Sequence, residues 1–430
     1  MELQYLELVE LAALLRRRAV TSVEVTCAQL ERIDRLDGRL ASYARITPEH
    51  ALAAAKRADA EIAAGRYRGP LHGVPFGLKD LFWTKGVPTA AGTVIHHDFM
   101  PEEDATVVAR LKQAGAVLLG KLQMTEGAYS DHHPTITPPK NPWDATYWTG
   151  ISSSGPAAAT AAGLCYGALA SDTGGSIRWP CSATGLSGIK PAWGRVSRFG
   201  VFELAASLDH VGPIARSAAD SAAILTAIAG PDQQDPTTLA EPKPDYAATA
   251  DSLVGLRLGV DTQWNTTDVD PAVQNVLAEA ERSLRQLGAE IVHIRVPDVT
   301  QAVIDWAPAC ALEAAVAHRG TYPVRKEEYG PVLASVLDAG HAVSALDYQA
   351  IGLRRMALRA EFSHLFLAID ALLMPVQPFA PLTLAEISTL GNQPRLILKL
   401  QRYTAPFDLT GHPTVTLPGG FSEHEMPIGL

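Results

Sequence analysis

The stretch 142–217 constrains the fold of this chain more than any other part of it. It is dense in glycine, serine and other small residues, and one alanine-rich run within it predicts a helix from near Pro156 to near Gly163. Because small side chains leave room around the main chain, such a stretch lets backbone segments come close together. We therefore expect close backbone approach here.

Within this stretch, residues 171–178 read Ser-Asp-Thr-Gly-Gly-Ser-Ile-Arg, which predicts a short strand running into a double-glycine turn that ends on Ser176. Two glycines let successive backbone N–H groups converge, as an oxyanion hole beside a nucleophile requires. Taken alone, Gly-Gly-Ser is also an ordinary loop. The Gly-x-Ser-x-Gly elbow of the common α/β hydrolases is absent, because residues 150–154 end on Ser154, and this disfavours a Ser-His-Asp triad on that plan.

The rest of the chain has the pattern of an α/β protein. About the first 65 residues predict a helical layer, with a capping box at 21–24 and a helix that begins at Thr47-Pro48. A buried strand is predicted at 117–121 and further strands at 256–260 and 290–296, with helices among them. This alternation favours a mixed sheet covered by helices, in one domain with an exposed connection at 231–251.

Composition and charge exclude several classes of function. The net charge of −10 comes without a block of Lys or Arg, so we expect no nucleic-acid partner. No apolar run reaches about 18 residues and no leader pattern occurs, which predicts a cytoplasmic protein without a membrane partner. The four widely spaced cysteines and the two adjacent histidine pairs indicate neither disulfides nor a metal site, and we expect no cofactor.

Three segments together resemble the signature of the amidase signature family. They are 73–80 around Lys79, the serine run 152–154, and 171–178 around Ser176; segments 120–124, 188–197 and 207–213 match as well. The resemblance spans nearly the whole chain. It implies a central mixed β-sheet covered on both faces by α-helices, a single large domain over 1–430, a signature core at about 69–217, and some twenty or thirty further residues after 430.

The resemblance also implies the roles of individual residues. Ser176 would attack a carbonyl carbon, Ser152 would relay the proton, and Lys79 would be the base. The oxyanion hole would consist of backbone N–H groups of the turn, and three side chains would support the site without chemical roles. The oxyanion residues are Thr173, Gly174, Gly175 and Ser176, and the supporting residues are Ser153, Asp172 and Arg178.

A lysine base must lose its proton near neutral pH, although its ordinary pKa is near 10.4. Apolar neighbours at 76–83 predict a buried Lys79 with a lowered pKa. The adjacent Asp80 would oppose this shift, but in an extended strand its side chain points to the opposite face. We therefore expect Lys79 to be the base without interference from Asp80.

Around the relay serine the chain departs from the pattern it resembles. The family has a cis peptide bond before this serine, here Ile151–Ser152, and has glycine, glycine and serine at the positions of Ile151, Ser154 and Pro156. These departures keep the serines in place and make the local geometry particular to this chain. Pro156 fits as the first residue of the following helix.

The functional hypothesis is an amide hydrolase that acts through an acyl-enzyme on a small amide or carbamate (urethane) substrate, either aryl or bulky. An aromatic pocket is predicted from Met124, Tyr129, Trp179 and Phe202, although such residues are also common in protein cores. The alternative is the glutamine-hydrolysing component of a tRNA-dependent amidotransferase, which works only with partner chains. A homodimer is left open.

Overall fold

A computed structural model describes residues 3–248 and 252–430. Its strands are β1 (Tyr43–Ile46), β2 (Pro75–Lys79), β3 (Val117–Leu122), β4 (Gly167–Asp172), β5 (Ser187–Lys190), β6 (His210–Ala215), β7 (Arg257–Val260), β8 (Glu290–His293), β9 (Ala371–Leu372), β10 (Thr414–Thr416), β11 (Pro418–Phe421) and β12 (Pro427–Gly429). The first six and β10 form a mixed sheet in the spatial order β1, β3, β2, β4, β6, β5, β10.

The helices are α1 (Leu8–Arg16), α2 (Ser22–Leu40), α3 (Pro48–Ala63), α4 (Thr106–Gln113), α5 (Ser154–Ala161), α6 (Arg178–Thr184), α7 (Ala218–Ile228), α8 (Thr262–Thr266), α9 (Pro271–Gln286), α10 (Thr300–Ala317), α11 (Pro331–Ala342), α12 (Ala345–Leu365), α13 (Leu384–Ser388), α14 (Pro394–Gln401) and α15 (Ala405–Thr410). The capping box at Thr21 is present, and the Ser217 side chain caps α7 by accepting from the Asp220 N–H. Within the described ranges, no helix combines the length and hydrophobicity needed to cross a membrane.

The direction of the central strands determines where the functional residues lie. In this sheet β2 runs parallel to both β3 and β4, whereas β6 is antiparallel to β4 and to β5. Parallel neighbours present their carboxyl ends at the same edge of a sheet. Lys79, the last residue of β2, and Asp172, the last residue of β4, therefore lie at one edge.

Helices cover both faces of this sheet, as predicted. On one face, α2, α3 and α5 pack on alternate residues of β3 such as Val117 and Leu119. On the other face, α1, α4 and α7 bury a larger core together with β2 residues such as Phe76. Burial of apolar surface on both faces is the main stabilising contribution of such a fold. It leaves the carboxyl edge of β2 and β4 as the place for chemistry.

Three details differ from the sequence-based expectations. The N-terminal layer is not wholly helical, because β1 adds as an antiparallel edge strand to β3. A side chain at Gly120 would come within 2.1 Å of the Arg45 carbonyl oxygen, so this pairing depends on a glycine far along the chain. Helix α5 begins at Ser154, which makes Pro156 its third residue, a position in the first turn that still tolerates proline.

The strands predicted at 256–260 and 290–296 form, but outside the central sheet. They are β7 and β8, which with β9 make a separate parallel sheet in the order β8, β7, β9. The predicted connection at 231–251 is held down at its start, where Asp232 accepts hydrogen bonds from Thr106 and Ser197, and is mostly exposed from 239 to 248. Residues 249–251 of that prediction lie outside the described residues.

Candidate active site

The end of β2 brings Lys79 against two serines from other elements. Its Nζ lies 2.7 Å from Ser152 Oγ and 2.8 Å from Ser171 Oγ, and all three side chains are buried. Ser152 precedes α5, whereas Ser171 belongs to β4. The parallel pairing of β2 with β4 therefore brings Lys79 to Ser171, and the segment before α5 adds Ser152 to the same group.

Burial lowers the pKa of Lys79 to about 7, and the more distant carboxylates of Asp172 and Asp209 oppose this shift only in part. The neighbouring Asp80 points away, as expected for the opposite face of a strand. Its carboxylate accepts the Ala90 N–H and lies 3.8 Å from Lys121 Nζ. A substantial fraction of Lys79 is thus neutral at pH 7 and able to accept a proton.

The Ile151–Ser152 peptide bond is cis, as the resemblance implied. The Ser152 carbonyl accepts the Thr125 N–H at 3.3 Å, and Ser153 Oγ donates to the Ser171 carbonyl at 3.2 Å. Ser153 therefore ties the start of α5 to β4. These contacts fix the backbone on both sides of the relay serine.

The predicted nucleophile, Ser176, stands at the end of the turn after β4 and is 7% exposed. Among the described residues, its hydroxyl forms no hydrogen bond, so the contact with Ser152 that proton relay requires is not made in this structure. Catalytic hydrogen bonds are often long in free enzymes and tighten when substrate binds. Ser176 Oγ is therefore free to turn toward either Ser152 or a bound carbonyl.

The four predicted oxyanion donors do not behave alike. The N–H of Gly175 donates to Asp172 Oδ1 at 2.7 Å and is therefore already occupied. The N–H groups of Thr173, Gly174 and Ser176 have no acceptor among the described residues. Three N–H donors of one turn that lack an acceptor and lie next to a serine hydroxyl can stabilise a developing negative charge.

A buried ion network supports this turn from behind. Arg178 binds both carboxylate oxygens of Asp172, at 2.8 and 3.0 Å, and also contacts Asp408 Oδ2 at 2.5 Å. Burial alone would raise the pKa of Asp172, but the Arg178 guanidinium outweighs it and holds that pKa well below its usual range. Asp172 thus remains ionised and accepts the N–H groups of Gly175 and Ile177.

Trp306 of α10 and Trp179 enclose the two glycines of the turn. A side chain at Gly174 would lie 2.5 Å from a ring atom of Trp306, and one at Gly175 would lie 2.6 Å from the Trp179 ring. Trp306 Nε1 also donates to the Thr173 carbonyl at 2.8 Å. Close contact therefore requires both glycines, and the positive φ of Gly175 is a second reason for glycine at that position.

The four predicted pocket residues separate into two groups. Met124 and Phe202 line a cavity of about 310 Å³, whereas Trp179 packs on the turn and belongs to an apolar cluster with Trp148. Tyr129 stacks on Trp306 at 6.4 Å between ring centres. None of the three predicted catalytic residues lines this cavity, but its lining includes Leu81, two residues beyond Lys79.

Ser154, one of the residues that depart from the family pattern, forms a hydrogen bond with a histidine. His132 Nε2 lies 3.1 Å from Ser154 Oγ, and burial lowers the pKa of His132 to about 4. A neutral imidazole thus binds the serine that begins α5, two residues after the relay serine. In the part of the chain described, no three His, Cys, Asp or Glu side chains are grouped as a metal site would require, and all four cysteines are free thiols.

Comparison with known proteins agrees with this geometry. The family model described as Amidase matches residues 24–430. A relative from Mycobacterium tuberculosis named "Putative amidase AmiD" is 51% identical over 99% of this chain and 89% of its own, and a glutamyl-tRNA(Gln) amidotransferase component from Myxococcus xanthus is 40% identical over 100% and 93%. The peptide amidase of Stenotrophomonas maltophilia superposes with a TM-score of 0.83 at 29% identity, covering 99% of this chain and 92% of that one.

The fold and the serine-lined edge define an amide-hydrolysing enzyme of α/β type. More particularly, the chain belongs to the amidase signature family.

Sequence reasoning missed several residues that the fold brings to this site. Ser171 stands within the motif already singled out, so its position at the end of a strand parallel to β2 was the available signal. No sequence signal pointed to Asp408 or Trp306, since Asp408 is 230 residues from its partner Arg178 and Trp306 is 133 residues from its partner Thr173. Asp209, which accepts the Thr173 hydroxyl at 2.6 Å, lies in a matched segment to which the sequence alone assigns no role.

Proposed function

We propose that this protein hydrolyses small amides or carbamates through a Ser176–Ser152–Lys79 triad and an acyl-enzyme. The observation that carries the proposal is the buried Lys79 Nζ, 2.7 Å from Ser152 Oγ and with a pKa lowered to about 7. A lysine held neutral against a serine, beside a turn with free N–H donors, suits acyl transfer and serves no evident packing purpose.

In the proposed mechanism, neutral Lys79 accepts the proton of Ser152, which accepts that of Ser176 as Ser176 Oγ attacks the carbonyl carbon. A hydroxyl hydrogen rotates freely, so the Lys79–Ser152 contact serves proton transfer in either direction. The N–H groups of Thr173, Gly174 and Ser176 bind the oxyanion. Ser152 then gives its proton to the departing amine as the C–N bond breaks and regains a proton from Lys79. Water, which gives up a proton along the same path, hydrolyses the acyl-enzyme and releases Ser176.

The substrate class follows from the surroundings of the turn. Trp179 and Trp148 belong to a buried apolar cluster beside Ile151, and Tyr129 lies against Trp306, so apolar groups surround the place of reaction. Such surroundings favour aryl or bulky groups on either side of the scissile bond. Anilides, aryl carbamates and primary amides present the same carbonyl to the turn, and a panel of the three distinguishes them.

Fluorophosphonate labelling tests the nucleophile directly. The wild-type enzyme should be labelled at Ser176 and should hydrolyse a 4-nitroanilide or aryl carbamate, whereas Ser176→Ala should lose both properties. Ser283→Ala, at an exposed position of α9, is the matched control and should retain both. Labelling that persists in Ser176→Ala would place the nucleophile elsewhere.

A second candidate function is supported by the similarity to the glutamyl-tRNA(Gln) amidotransferase component from Myxococcus xanthus. In that case the chain would hydrolyse glutamine and pass ammonia on within a complex. Purification from its source followed by mass spectrometry would then recover partner chains in constant ratio. A lone chain that prefers anilides over glutamine would exclude this candidate.

A further inference from the structure

A cavity of about 310 Å³ is lined in part by residues that follow Lys79 and precede Thr125, and it has no role in the mechanism above. Its floor includes Leu81, whose N–H donates to the Lys79 carbonyl, and Met124, which precedes the residue bonded to Ser152. Its volume falls within the range of ligand sites in proteins. We therefore consider this space as an extension of the proposed active site.

One wall of the cavity is flat and fixed in orientation. The His96 ring stacks on the Phe202 ring with centres 4.8 Å apart and planes 26° apart, and the edge of Phe99 packs against both. Phe202 is itself held by a hydrogen bond from its N–H to the Leu81 carbonyl. Planar groups stack favourably on such a wall.

His96 is the polar group of this wall without a partner. Its side chain is half-buried and forms no hydrogen bond with any described residue. Burial, and then the nearby Arg325, lower the pKa of His96, so at pH 7 its ring is neutral and offers one donor and one acceptor. A buried polar group gains from a partner that a ligand can supply.

Apart from the exposed Glu203, the remaining polar lining carries no charge. Burial lowers the pKa of His318 to about 4, so this second imidazole is also neutral at pH 7. Glu203 is exposed at the rim, and Arg325 is paired with Glu328. In the buried part of the cavity an ionised ligand group would therefore lose its hydration without gaining a counter-charge, which favours an uncharged group there.

We propose that this cavity binds the distal end of the substrate and that His96 selects substrates ending in a flat, uncharged group that forms hydrogen bonds, such as a phenol or an aryl amide. This inference rests on the proposed function and specifies its substrate class.

The test compares matched substrates that differ only at the distal end. On the acyl side these are the 4-nitroanilides of 3-(4-hydroxyphenyl)propanoic and 3-phenylpropanoic acids, and on the amine side N-acetyltyramine and N-acetylphenethylamine. The wild-type enzyme should prefer the hydroxylated member of at least one pair by about tenfold in kcat/KM, the size expected of one well-made hydrogen bond.

Variants then assign this preference to His96. His96→Phe keeps the stacking and should bring the ratio close to one, whereas His96→Gln, which can still form hydrogen bonds, should retain part of the preference. His97→Phe is the control, because its side chain is 67% exposed and lies outside the cavity lining, and it should keep the wild-type ratio. A ratio near one in the wild-type enzyme for both pairs, or an unchanged ratio in His96→Phe, would overturn the inference.

Binding separates this outcome from failure of the proposed function. Calorimetry on Ser176→Ala should show tighter binding of the hydroxylated member of a pair, and the added His96→Phe substitution should abolish the difference. If this difference appears while the wild-type enzyme hydrolyses none of the probes, the proposed chemistry fails and the cavity assignment stands. If the probes are hydrolysed with equal efficiency, only the cavity assignment fails.

Discussion

At the scale of single residues, the proposed site depends on the burial of the Lys79 amino group. Lys79 is fully buried between serine hydroxyls, and the carboxylates that could stabilise its charge are occupied elsewhere: Asp172 by Arg178, and Asp209 by Thr173 and two backbone N–H groups. A carboxylate in direct contact would hold a lysine protonated. Two hydroxyl partners in place of a carboxylate make Lys79 suitable as a base.

We expect kcat/KM to rise as pH increases through about 7 and to level off above pH 8. The pKa of Lys79 is lowered to about 7, its neutral form is the active one, and lower pH protonates it. Initial rates on a 4-nitroanilide from pH 5.5 to 9 check this expectation. Lys79→Arg should lose about 10³-fold at every pH, because arginine stays charged, whereas the exposed Lys85→Arg should retain the wild-type profile. A profile that is flat from pH 6 to 9 would contradict the base assignment.

At the scale of elements, the turn between β4 and α6 is enclosed from several sides. Trp306 of α10 covers Gly174, Trp179 of α6 covers Gly175, and Asp172 at the end of β4 accepts two of the N–H groups of the turn. The remaining N–H groups are thereby left pointing away from these contacts. Donors fixed before the substrate arrives need no reorganisation during the reaction.

Gly174→Ala should lower kcat by about 10²-fold, because the added methyl group would lie 2.5 Å from Trp306 and displace either the ring or the oxyanion donors. Steady-state kinetics measure the loss, and a thermal melt shows that the fold persists. Gly352→Ala in α12 is the control, since nothing lies within 4 Å of its added methyl group. A kcat within threefold of wild type would mean that the turn tolerates displacement.

The sequence predicted the parts of this site that lie within local motifs better than the parts that depend on contacts between distant residues. Lys79, Ser152 and Ser176 stand in local motifs, so residue patterns were enough to single them out as candidates. The structure places Lys79 against Ser152, whereas the Ser176 hydroxyl forms no hydrogen bond with any described residue. The sequence predicted Gly175 as an oxyanion donor, but its N–H donates to the Asp172 carboxylate. This contact depends on the geometry of the turn, which the sequence does not show. Strand β1 is short and depends on pairing with β3, so its own residues gave no sufficient signal.

At the scale of the whole molecule, burial changes the pKa of many ionisable groups from the values they have in water. The imidazole of His318 is 8% exposed and burial lowers its pKa to about 4 from the usual 6.5. The unfolded chain therefore takes up a proton at higher pH than the folded one. The stability contributed by neutral His318 is present above pH 6.5 and is lost as pH falls toward 4.

His318→Asn should make the free energy of unfolding less sensitive to acid. Between pH 7 and pH 5 we expect the wild-type protein to lose about 2 kcal/mol more than this variant, the amount that follows from a depressed pKa over that interval. Urea denaturation at the two pH values measures the difference. His424→Asn, at a histidine whose side chain is 68% exposed, should behave like wild type. Equal losses in His318→Asn and wild type would show that this imidazole is not protonated on unfolding.

The contact between Arg178 and Asp408 joins residues 230 positions apart and has a consequence for biosynthesis. During translation, a ribosome exposes the signature segments long before α15 is made. Until then Arg178 lacks one of its two carboxylate partners and Trp306 has no complete surroundings in which to pack. We therefore expect the buried ion network behind the turn to become complete only after α15 has left the ribosome.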